Sequence, residues 1–271
     1  MTRVAAIQLV STDDIDTNLN VTDVLIGQAV TDRAELVVLP ENFPFMGMQE
    51  EDKLAVAEPS GEGPLQDFLA EQAKSREIWL VGGTIPMKAS RPDRIRAASL
   101  LYNPAGECVA RYDKIHLFDV SVSENTEVYC ESGTIEPGDS LVVAETPLGN
   151  IGMSVCYDLR FPEMYRRMHA QDVNIIIVPS AFTNTTGMAH WGPLLKARAI
   201  ENLSYVIAPN QGGLHVNNRE TWGHSMILNP WGDVLAVMDR GEGFVCADIE
   251  LEQLNKLRNN FPVLKHRKLN S

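Results

Sequence analysis

Short, continuously apolar runs alternate with amphipathic stretches along this chain, and this alternation limits its fold more than any other feature. Residues 36–39, 175–178 and 205–208 are apolar throughout and rich in Val and Ile. Such runs are typical of strands whose two faces are both covered. The stretches at residues 17–32 and 64–76 carry their apolar residues at helical spacing. Residues 188–202 are also predicted to form a helix, and residues 224–237 a hairpin. The chain is therefore predicted to be an α/β protein.

Three of the apolar runs end in the same way, with a proline followed by a polar residue. The pairs are Pro40-Glu41, Pro179-Ser180 and Pro209-Asn210. Functional sites of α/β sheets lie at the carboxyl ends of the strands. We therefore expect several strands to deliver polar side chains to one sheet edge.

The chain of 271 residues is predicted to be a single domain over residues 1–271, because no linker, low-complexity tract or charge block divides it. A chain of this length can bury roughly three quarters of its unfolded surface and needs no crosslink to fold. Its net charge of −13 opposes binding to phosphate backbones, so a nucleic acid partner is not expected. An anionic substrate would need a local positive charge in the pocket.

The four cysteines, Cys108, Cys130, Cys156 and Cys246, form no Cys-x-x-Cys pair. The first residues lack the pattern of a signal peptide, and no apolar run approaches the length of a membrane span. The sequence thus predicts a cytoplasmic protein with free thiols and no membrane association. Neither His-Glu-x-x-His nor paired Cys and His ligands occur, so no metal or other cofactor is predicted.

Cys156 is the main candidate for a nucleophile, because it lies between a predicted buried strand at residues 151–155 and a predicted helix. A strand-to-helix turn can expose a nucleophile and aim the next backbone N–H, here that of Tyr157, at the reacting atom. A buried, inert cysteine is the alternative. Asp158 and Arg160 follow directly, and such charged residues are unusual in a packed core, which favours the reactive interpretation.

Glu41 and Lys114 are candidates for acid–base and electrostatic roles. Glu41 ends a buried strand, where partial desolvation would raise the pKa of a carboxyl group toward the range of a general base. A solvated strand-end glutamate is the alternative. Lys114 lies in the alternating stretch 111–118 and could point inward, where its ammonium would stabilise an oxyanion. A surface lysine is the alternative there.

Taken together, these segments resemble the nitrilase superfamily, whose catalytic triad is glutamate, lysine and cysteine. The resemblance extends over nearly the whole chain and follows the order and spacing of the family's motifs. Its segments include Leu39-Pro40-Glu41, Tyr112-Asp113-Lys114-Ile115-His116-Leu117, Val155-Cys156-Tyr157-Asp158-Leu159-Arg160-Phe161-Pro162-Glu163 and Asn229-Pro230-Trp231-Gly232. The resemblance implies a four-layer αββα sandwich of the nitrilase type, usually assembled as a homodimer.

The resemblance also implies a set of catalytic roles. Cys156 would attack an amide carbon while Glu41 takes the thiol proton, and Lys114 with the Tyr157 N–H would hold the oxyanion. Water activated by Glu41 would then hydrolyse the thioester. The family's second glutamate matches Glu131, which is expected to keep Lys114 charged and to position the substrate nitrogen.

Within the superfamily, the C-terminal half is most similar to two branches of small amidases. One branch acts on deaminated glutathione, in metabolite repair, and the other, the ω-amidases, acts on 2-oxoglutaramate. Both substrates would give the same 2-oxoglutaryl thioester. The similarity favours the first branch and implies a small, anionic amide as substrate. The alternatives are hydrolysis of a nitrile or a carbamoyl compound, acyl transfer, and an inactive binding protein on the same fold.

The acyl half of such a substrate needs a cation for its carboxylate. Arg160 is the candidate, since arginine suits bidentate binding of a carboxylate. Phe182 and Thr186, which follow the next predicted strand, are expected to line the same region. A structural ion pair of Arg160 with Asp158 or Glu163 is the alternative.

The leaving-group side is expected in the segment 210–222, where His215 and Arg219 are the candidate contacts. The end of this segment matches the first amidase branch well. Its beginning departs from that branch, because Gly212 and Leu214 stand in place of the usual cysteine and arginine. The resemblance therefore implies no contact between position 214 and a peptide carboxylate in this chain.

Overall fold

The computed structural model describes residues 1–122 and 127–268, and in this part of the chain the strands form two large sheets and a separate hairpin. In chain order the strands are β1 (Thr2–Gln8), β2 (Leu36–Val38), β3 (Trp79–Val81), β4 (Ile85–Lys88), β5 (Ile95–Tyr102), β6 (Cys108–Asp113), β7 (Asp119–Val122), β8 (Glu127–Cys130), β9 (Val142–Ala144), β10 (Ile151–Met153), β11 (Ile175–Ile177), β12 (Tyr205–Ala208), β13 (Met226–Leu228), β14 (Val234–Val237) and β15 (Gly243–Ile249). The helices are α1 (Ile15–Thr31), α2 (Pro64–Ser75), α3 (Pro162–His169), the single turn α4 (Asn184–Thr186), α5 (Gly192–Asn202) and α6 (Leu251–Asn260).

Each large sheet has parallel strands at its centre. The first sheet has the order β15-β1-β2-β3-β5-β4, with β6 beside β5, and β1, β2 and β3 run parallel. The second has the order β14-β13-β12-β11-β10-β9, with β10, β11 and β12 parallel. A bridge joins Leu9, just after β1, to Gln211, just after β12. The carboxyl ends of the two sheets therefore meet. The three strands that end in proline, which were expected at one sheet edge, are divided between these two sheets.

The pleat of β1 separates two hydrophobic layers. Val4 and Ala6 belong to the cluster between the two sheets, whereas Ala5 and Ile7 pack with the cluster that includes residues of α1 and α2. The second sheet is covered by α3 and α5, which contribute Leu195 and other residues to the same core. Each fully buried aliphatic side chain contributes about 1.5–3 kcal/mol by leaving water. The layers are helices, sheet, sheet and helices, which confirms the predicted αββα sandwich.

Two predicted helices differ from the structure in their bounds. The first begins at Ile15 because the Asp14 carboxylate caps it, accepting a hydrogen bond from the Thr17 N–H at 2.7 Å. The predicted helix at 188–202 is divided into a π-helical turn, Gly187–Trp191, and α5. The predicted hairpin at 224–237 is confirmed as the antiparallel pair β13 and β14.

The described residues contain no helix that is long and apolar enough to cross a membrane. Hydrophobic residues from both sheets share one cluster, which includes Val38 of the first sheet and Ile177 of the second. The assignment of residues 1–271 to a single domain is compatible with this shared core and stays a prediction.

Candidate active site

Cys156 lies in a tight turn just after β10. It opens a 3₁₀ turn, Cys156–Arg160, and its backbone is in the left-handed region with φ of +48°. A residue other than glycine pays a conformational cost there, so surrounding contacts must hold it. One such contact is the Cys156 N–H, which donates to the Pro179 carbonyl at 2.9 Å. The strand-to-turn position predicted for the nucleophile is thus present, with the side chain buried and 7% of the residue exposed.

Lys114 is held between two glutamates in the buried space beside Cys156. Its Nζ donates to Glu41 Oε1 at 2.8 Å and lies 2.8 Å from both carboxylate oxygens of Glu131. The Lys114 side chain is fully buried and that of Glu41 is almost so, whereas that of Glu131 is 12% exposed where it lines the cleft. A buried charge is tolerated only when it is paired and hydrogen-bonded, which this arrangement provides.

A backbone N–H group also binds the Oε2 atom of each glutamate. Glu41 Oε2 accepts a hydrogen bond from the Ala181 N–H at 2.9 Å, and Glu131 Oε2 accepts one from the Phe118 N–H at 2.8 Å. The two carboxylates are therefore oriented by different loops, one after β11 and one before β7. Lys114 joins these loops at a single point.

The burial and charges of this cluster set its protonation states. Burial alone would raise the pKa of Glu41, but the Lys114 ammonium outweighs it and holds that pKa below its usual value. Burial would lower the pKa of Lys114, yet Glu131 and Glu41 raise it well above the ordinary value. Burial and then the Glu41 charge raise the pKa of the Cys156 thiol. At neutral pH the resting site thus holds a neutral thiol beside an ionised Glu41.

A narrow cleft opens onto the thiol. Its lining residues are Phe118, Glu131, Cys156, Tyr157, Ala181, Phe182, Thr183, Thr186 and Arg219. Among residues 1–122 and 127–268, the Tyr157 N–H has no acceptor, so it is available to an atom bound in the cleft. The structure therefore brings together Glu131, Tyr157, Phe182, Thr186 and Arg219 from the residues that the sequence singled out.

The two candidate arginines occupy different places. Arg219 lines the cleft; its Nη2 donates to the Ala181 carbonyl at 2.6 Å, and its buried Nε has no partner in the described part of the chain. Arg160 is not a lining residue. Its guanidinium carbon lies 5.6 Å from the centroid of the Tyr157 ring and 5.4 Å from that of Phe182. No ion pair joins Arg160 to Asp158 or Glu163 in the described residues, so it stacks on the cleft wall with its charge unneutralised.

The structure leads to a correction for His215, which was expected to contact the leaving group. Its residue is only 4% exposed, and it does not line the cleft. Its Nδ1 lies 2.8 Å from the Ser11 carbonyl oxygen and its Nε2 lies 2.8 Å from Thr221 Oγ1. With both ring nitrogens already engaged, His215 has a structural position inside the 210–222 segment.

Three lining residues were not singled out from the sequence. Phe118, Ala181 and Thr183 contribute a ring, backbone groups and a side chain to the cleft. Ala181 lies in the Pro179-Ser180-Ala181-Phe182 segment after β11, so its position after a strand was a usable signal. Its role depends on a backbone N–H, however, and the side-chain pattern does not report where such a group points.

The described residues contain no group of three or more His, Cys, Asp or Glu side chains arranged to hold a metal ion. Three ionised groups beside the thiol are instead paired with one another, Lys114 with Glu41 and Glu131. A thiol, a carboxylate that can accept its proton and a fixed ammonium suit nucleophilic attack on an acyl carbon.

Comparison with known proteins gives consistent results. The model of the family described as carbon–nitrogen hydrolase matches residues 3–259. A deaminated glutathione amidase of Yersinia enterocolitica is 41% identical over 264 residues, which cover 97% of this chain and 92% of that protein. A human protein of the same description is 38% identical over 269 residues, covering 98% and 82%. A solved structure from Saccharomyces cerevisiae, described as a member of branch 10 of the nitrilase superfamily, has a TM-score of 0.88 at 29% identity and covers 99% of this chain and 97% of that one.

Proposed function

Because this chain belongs to the carbon–nitrogen hydrolase family, we propose that it hydrolyses a small linear amide through a thioester on Cys156. One observation carries the proposal: Lys114 is hydrogen-bonded to two carboxylates in a buried site that also holds the Cys156 thiol. An inactive binding protein would have no need to maintain two buried charges, Lys114 and Glu41, beside a thiol, since such charges are costly to desolvate.

The acylation step begins with a proton transfer. Since burial and Glu41 keep the pKa of the thiol high, the thiolate has to be generated during attack. Glu41 accepts the proton as sulfur bonds to the carbonyl carbon. The same proton then passes to the amide nitrogen as the carbon–nitrogen bond breaks, so that the amine or ammonia leaves neutral.

The oxyanion of the tetrahedral intermediate needs donors that are already in place. The Lys114 ammonium and the Tyr157 N–H fill this role, because the first is held by two carboxylates and the second lacks an acceptor among the described residues. Glu131 keeps Lys114 charged and lines the cleft where the leaving nitrogen would lie. Glu41 then removes a proton from water as the water oxygen bonds to the thioester carbon. The carbon–sulfur bond breaks, the acid leaves, and Glu41 returns the proton to the Cys156 sulfur.

The proposed substrate is deaminated glutathione, cleaved to 2-oxoglutarate and cysteinylglycine in metabolite repair. Relatives of that description cover nearly the whole chain at 38–41% identity. The cleft also offers cations for an anionic substrate on a chain with a net charge of −13. Arg219 lies in the lining, and Arg160 stacks on the Phe182 ring, from which it can reach the 2-oxo acid end with Thr186 nearby.

A second candidate is 2-oxoglutaramate, the substrate of an ω-amidase. It shares the acyl half and differs only in releasing ammonia. Leu214 favours it, because this apolar residue is 64% exposed where the first branch usually carries an arginine. A leaving group as small as ammonia makes no contact with that residue.

We also propose a cytoplasmic homodimer. Ile200 of α5, Trp231 and Phe261 are 49%, 57% and 44% exposed. They form one patch, because the Trp231 and Phe261 rings lie 5.6 Å apart and Gly232 packs closely against Ile200. Large exposed apolar patches are typical of protein interfaces.

A side-by-side assay tests the substrate. Purified protein is given deaminated glutathione or 2-oxoglutaramate, and 2-oxoglutarate, cysteinylglycine and ammonia are measured, with Cys156→Ala as the blank. A kcat/KM at least tenfold higher for deaminated glutathione supports the first candidate, and the reverse ratio supports the second. No release from either amide by the unmodified protein would contradict the amidase proposal.

A further inference from the structure

Three alternate residues on the segment that leaves β6 point toward the turn of Cys156. Side chains at positions i, i+2 and i+4 of an extended segment lie on the same side. Lys114 is the middle one and binds the two catalytic glutamates. Tyr112 and His116 flank it, and both bind Asp158, which lies two residues after Cys156. The proposed function uses Lys114 and leaves the other contacts without a role.

Asp158 collects four hydrogen bonds although it is completely buried. Its Oδ2 accepts from the Tyr112 hydroxyl at 2.6 Å and from the Val155 N–H at 2.8 Å. Its Oδ1 accepts from the His116 N–H at 3.0 Å and lies 2.7 Å from His116 Nδ1. A buried carboxylate with donors on both oxygens is rigid, because breaking any one bond leaves a polar group unsatisfied.

These bonds connect the segment that carries Lys114 to the turn that carries Cys156. Val155 immediately precedes Cys156, so its bond to Asp158 closes the strained turn on itself. The Tyr112 hydroxyl also accepts from the N–H of Ile115, the residue directly after Lys114, at 3.2 Å. The carboxylate therefore holds the Tyr112 side chain before Lys114, the His116 backbone after it, and the backbone just before Cys156.

Ring packing braces the same connection. The His116 ring is stacked on Phe161 with centroids 3.7 Å apart and an interplanar angle of 8°. Phe161 in turn meets the edge of Tyr157, the residue whose N–H is proposed for the oxyanion. The His116 ring thus packs, through Phe161, against the turn that carries both the nucleophile and the second oxyanion donor.

We propose that Asp158, with Tyr112 and His116, is a positioning unit that sets the distance between the Lys114 ammonium and the Cys156 sulfur. The proposal rests on the proposed function, because it concerns the oxyanion formed there. Electrostatic stabilisation of a transition state depends on donors fixed within a few tenths of an ångström, so a loosened Lys114 weakens catalysis while leaving the cleft intact. None of the three residues lines the cleft, so substrate affinity should hardly change.

Tyr112→Phe tests the proposal, with Tyr165→Phe as its matched control. Both tyrosines are fully buried in the same core, and the Tyr165 hydroxyl donates to Ser154 Oγ at 3.0 Å without touching the Lys114 segment. We expect Tyr112→Phe to lower kcat by roughly tenfold to a hundredfold with KM within about twofold of the unmodified protein. The control should keep kcat and show a similar change in Tm.

Alkylation of Cys156 separates positioning from general damage. Iodoacetamide reacts with the thiolate and forms no oxyanion, so Tyr112→Phe should be alkylated at Cys156 within about threefold of the unmodified rate. Mass spectrometry of the Cys156 peptide is needed, because Cys108 and Cys130 are exposed and react as well. A parallel loss of alkylation and hydrolysis would mean general disorder of the site and would overturn the proposal.

His116→Phe provides a second variant if Tyr112→Phe fails to fold. It keeps the stack on Phe161 and removes only the bond from Nδ1. The same split between kcat and KM is expected. If the unmodified protein turns over and Cys156→Ala does not, an unchanged kcat in either folded variant overturns the proposal of a positioning unit. The proposed function is not affected by that result. Inactivity of the unmodified protein would contradict the proposed function itself.

Discussion

Cys156 and Glu41 form a pair in which the proton rests on sulfur. Burial of the thiol and the negative charge of Glu41 both raise the pKa of Cys156, while Lys114 holds the pKa of Glu41 down. The site therefore differs from a thiolate–imidazolium pair, in which the nucleophile is ionised before the substrate arrives. Here the base has to act during the attack. Removing Glu41 should therefore reduce the rate of amide hydrolysis much more than the reactivity of the thiol toward an alkylating reagent.

Glu41→Gln should separate these two properties. Removing the charge takes away one of the causes that raise the pKa of the Cys156 thiol, so that pKa should fall. The apparent pKa from the pH profile of alkylation at Cys156 should shift to lower pH, while amide hydrolysis falls by roughly a hundredfold or more. A Glu41→Gln protein that hydrolyses amides at the normal rate would contradict the role of Glu41. A higher alkylation pKa would contradict the electrostatic account.

The sequence could predict the residues of this cluster but not all of their neighbours. Glu41 and Cys156 follow buried strands, and that position alone made them candidates. Lys114 was recognisable only as part of a motif, because a lysine in an alternating segment can face either way. The direction of the Arg160 side chain depends on the Tyr157 and Phe182 rings, which come from separate segments, so no local pattern could report it.

At the scale of elements, the segment 210–222 is anchored to the end of β1 and to the loop of Glu41. The Gln211 Nε2 donates to Ser11 Oγ at 2.8 Å and to the Glu41 carbonyl at 3.0 Å. His215 adds a contact with the Ser11 carbonyl. The segment that carries Arg219 is thus held in place by residues that do not themselves line the cleft. From the sequence, both Arg219 and His215 of this segment were expected to contact the leaving group, whereas in the structure only Arg219 lines the cleft.

The position of His215 makes a prediction about stability. Burial lowers the pKa of His215 from 6.5 to about 4. Between these values the unfolded chain binds a proton at His215 that the folded chain does not. The neutral, buried His215 therefore makes its full contribution to the free energy of unfolding above about pH 6.5, and this contribution declines as the pH falls toward about 4. At about 1.4 kcal/mol per pKa unit, the decline is roughly 3 kcal/mol.

The measurement is the free energy of unfolding at pH 7.5 and pH 4.5 for the unmodified protein and His215→Gln. The variant should be less stable at the higher pH, and the difference should shrink at the lower pH, because glutamine has no proton to gain. Replacement of the exposed His266 by Gln serves as the control and should leave the difference constant. An equal difference at both pH values would contradict the assigned burial of a neutral His215.

Other elements show where sequence patterns stop being informative. The central strands β2, β11 and β12 were predicted within one residue, because a strand covered on both faces is apolar throughout. β15 was not predicted, although it pairs with β1 along its full length. Its burial alternates only weakly, and its partner lies at the other end of the chain, so its pairing depends on the completed fold.

At the scale of the whole molecule, the αββα sandwich brings the carboxyl ends of two sheets to one place and leaves the patch of Ile200, Trp231 and Phe261 elsewhere on the surface. Packing of this patch against a second copy of the chain would remove its apolar surface from water, which favours association. The proposed homodimer follows from this patch rather than from the active site.

Trp231→Glu should therefore weaken the dimer. A carboxylate in an apolar interface loses its hydration, and the expected result is a tenfold or greater increase in the dimer dissociation constant by sedimentation velocity. Val24→Glu is the matched control, since Val24 is 56% exposed on α1, on the outer face of the other sheet. Dimers of equal strength in both variants would place the interface elsewhere.

The most direct measurement of the central claim is the mass of the Cys156 peptide after rapid acid quench of the protein during turnover of deaminated glutathione. The account predicts that this peptide gains one 2-oxoglutaryl group in place of the thiol hydrogen. It also predicts that the gain appears before free 2-oxoglutarate reaches its steady rate, and that Cys156→Ala neither turns over nor carries the group. Hydrolysis by Cys156→Ala at the unmodified rate, or steady turnover with the group on a different residue, would contradict the claim.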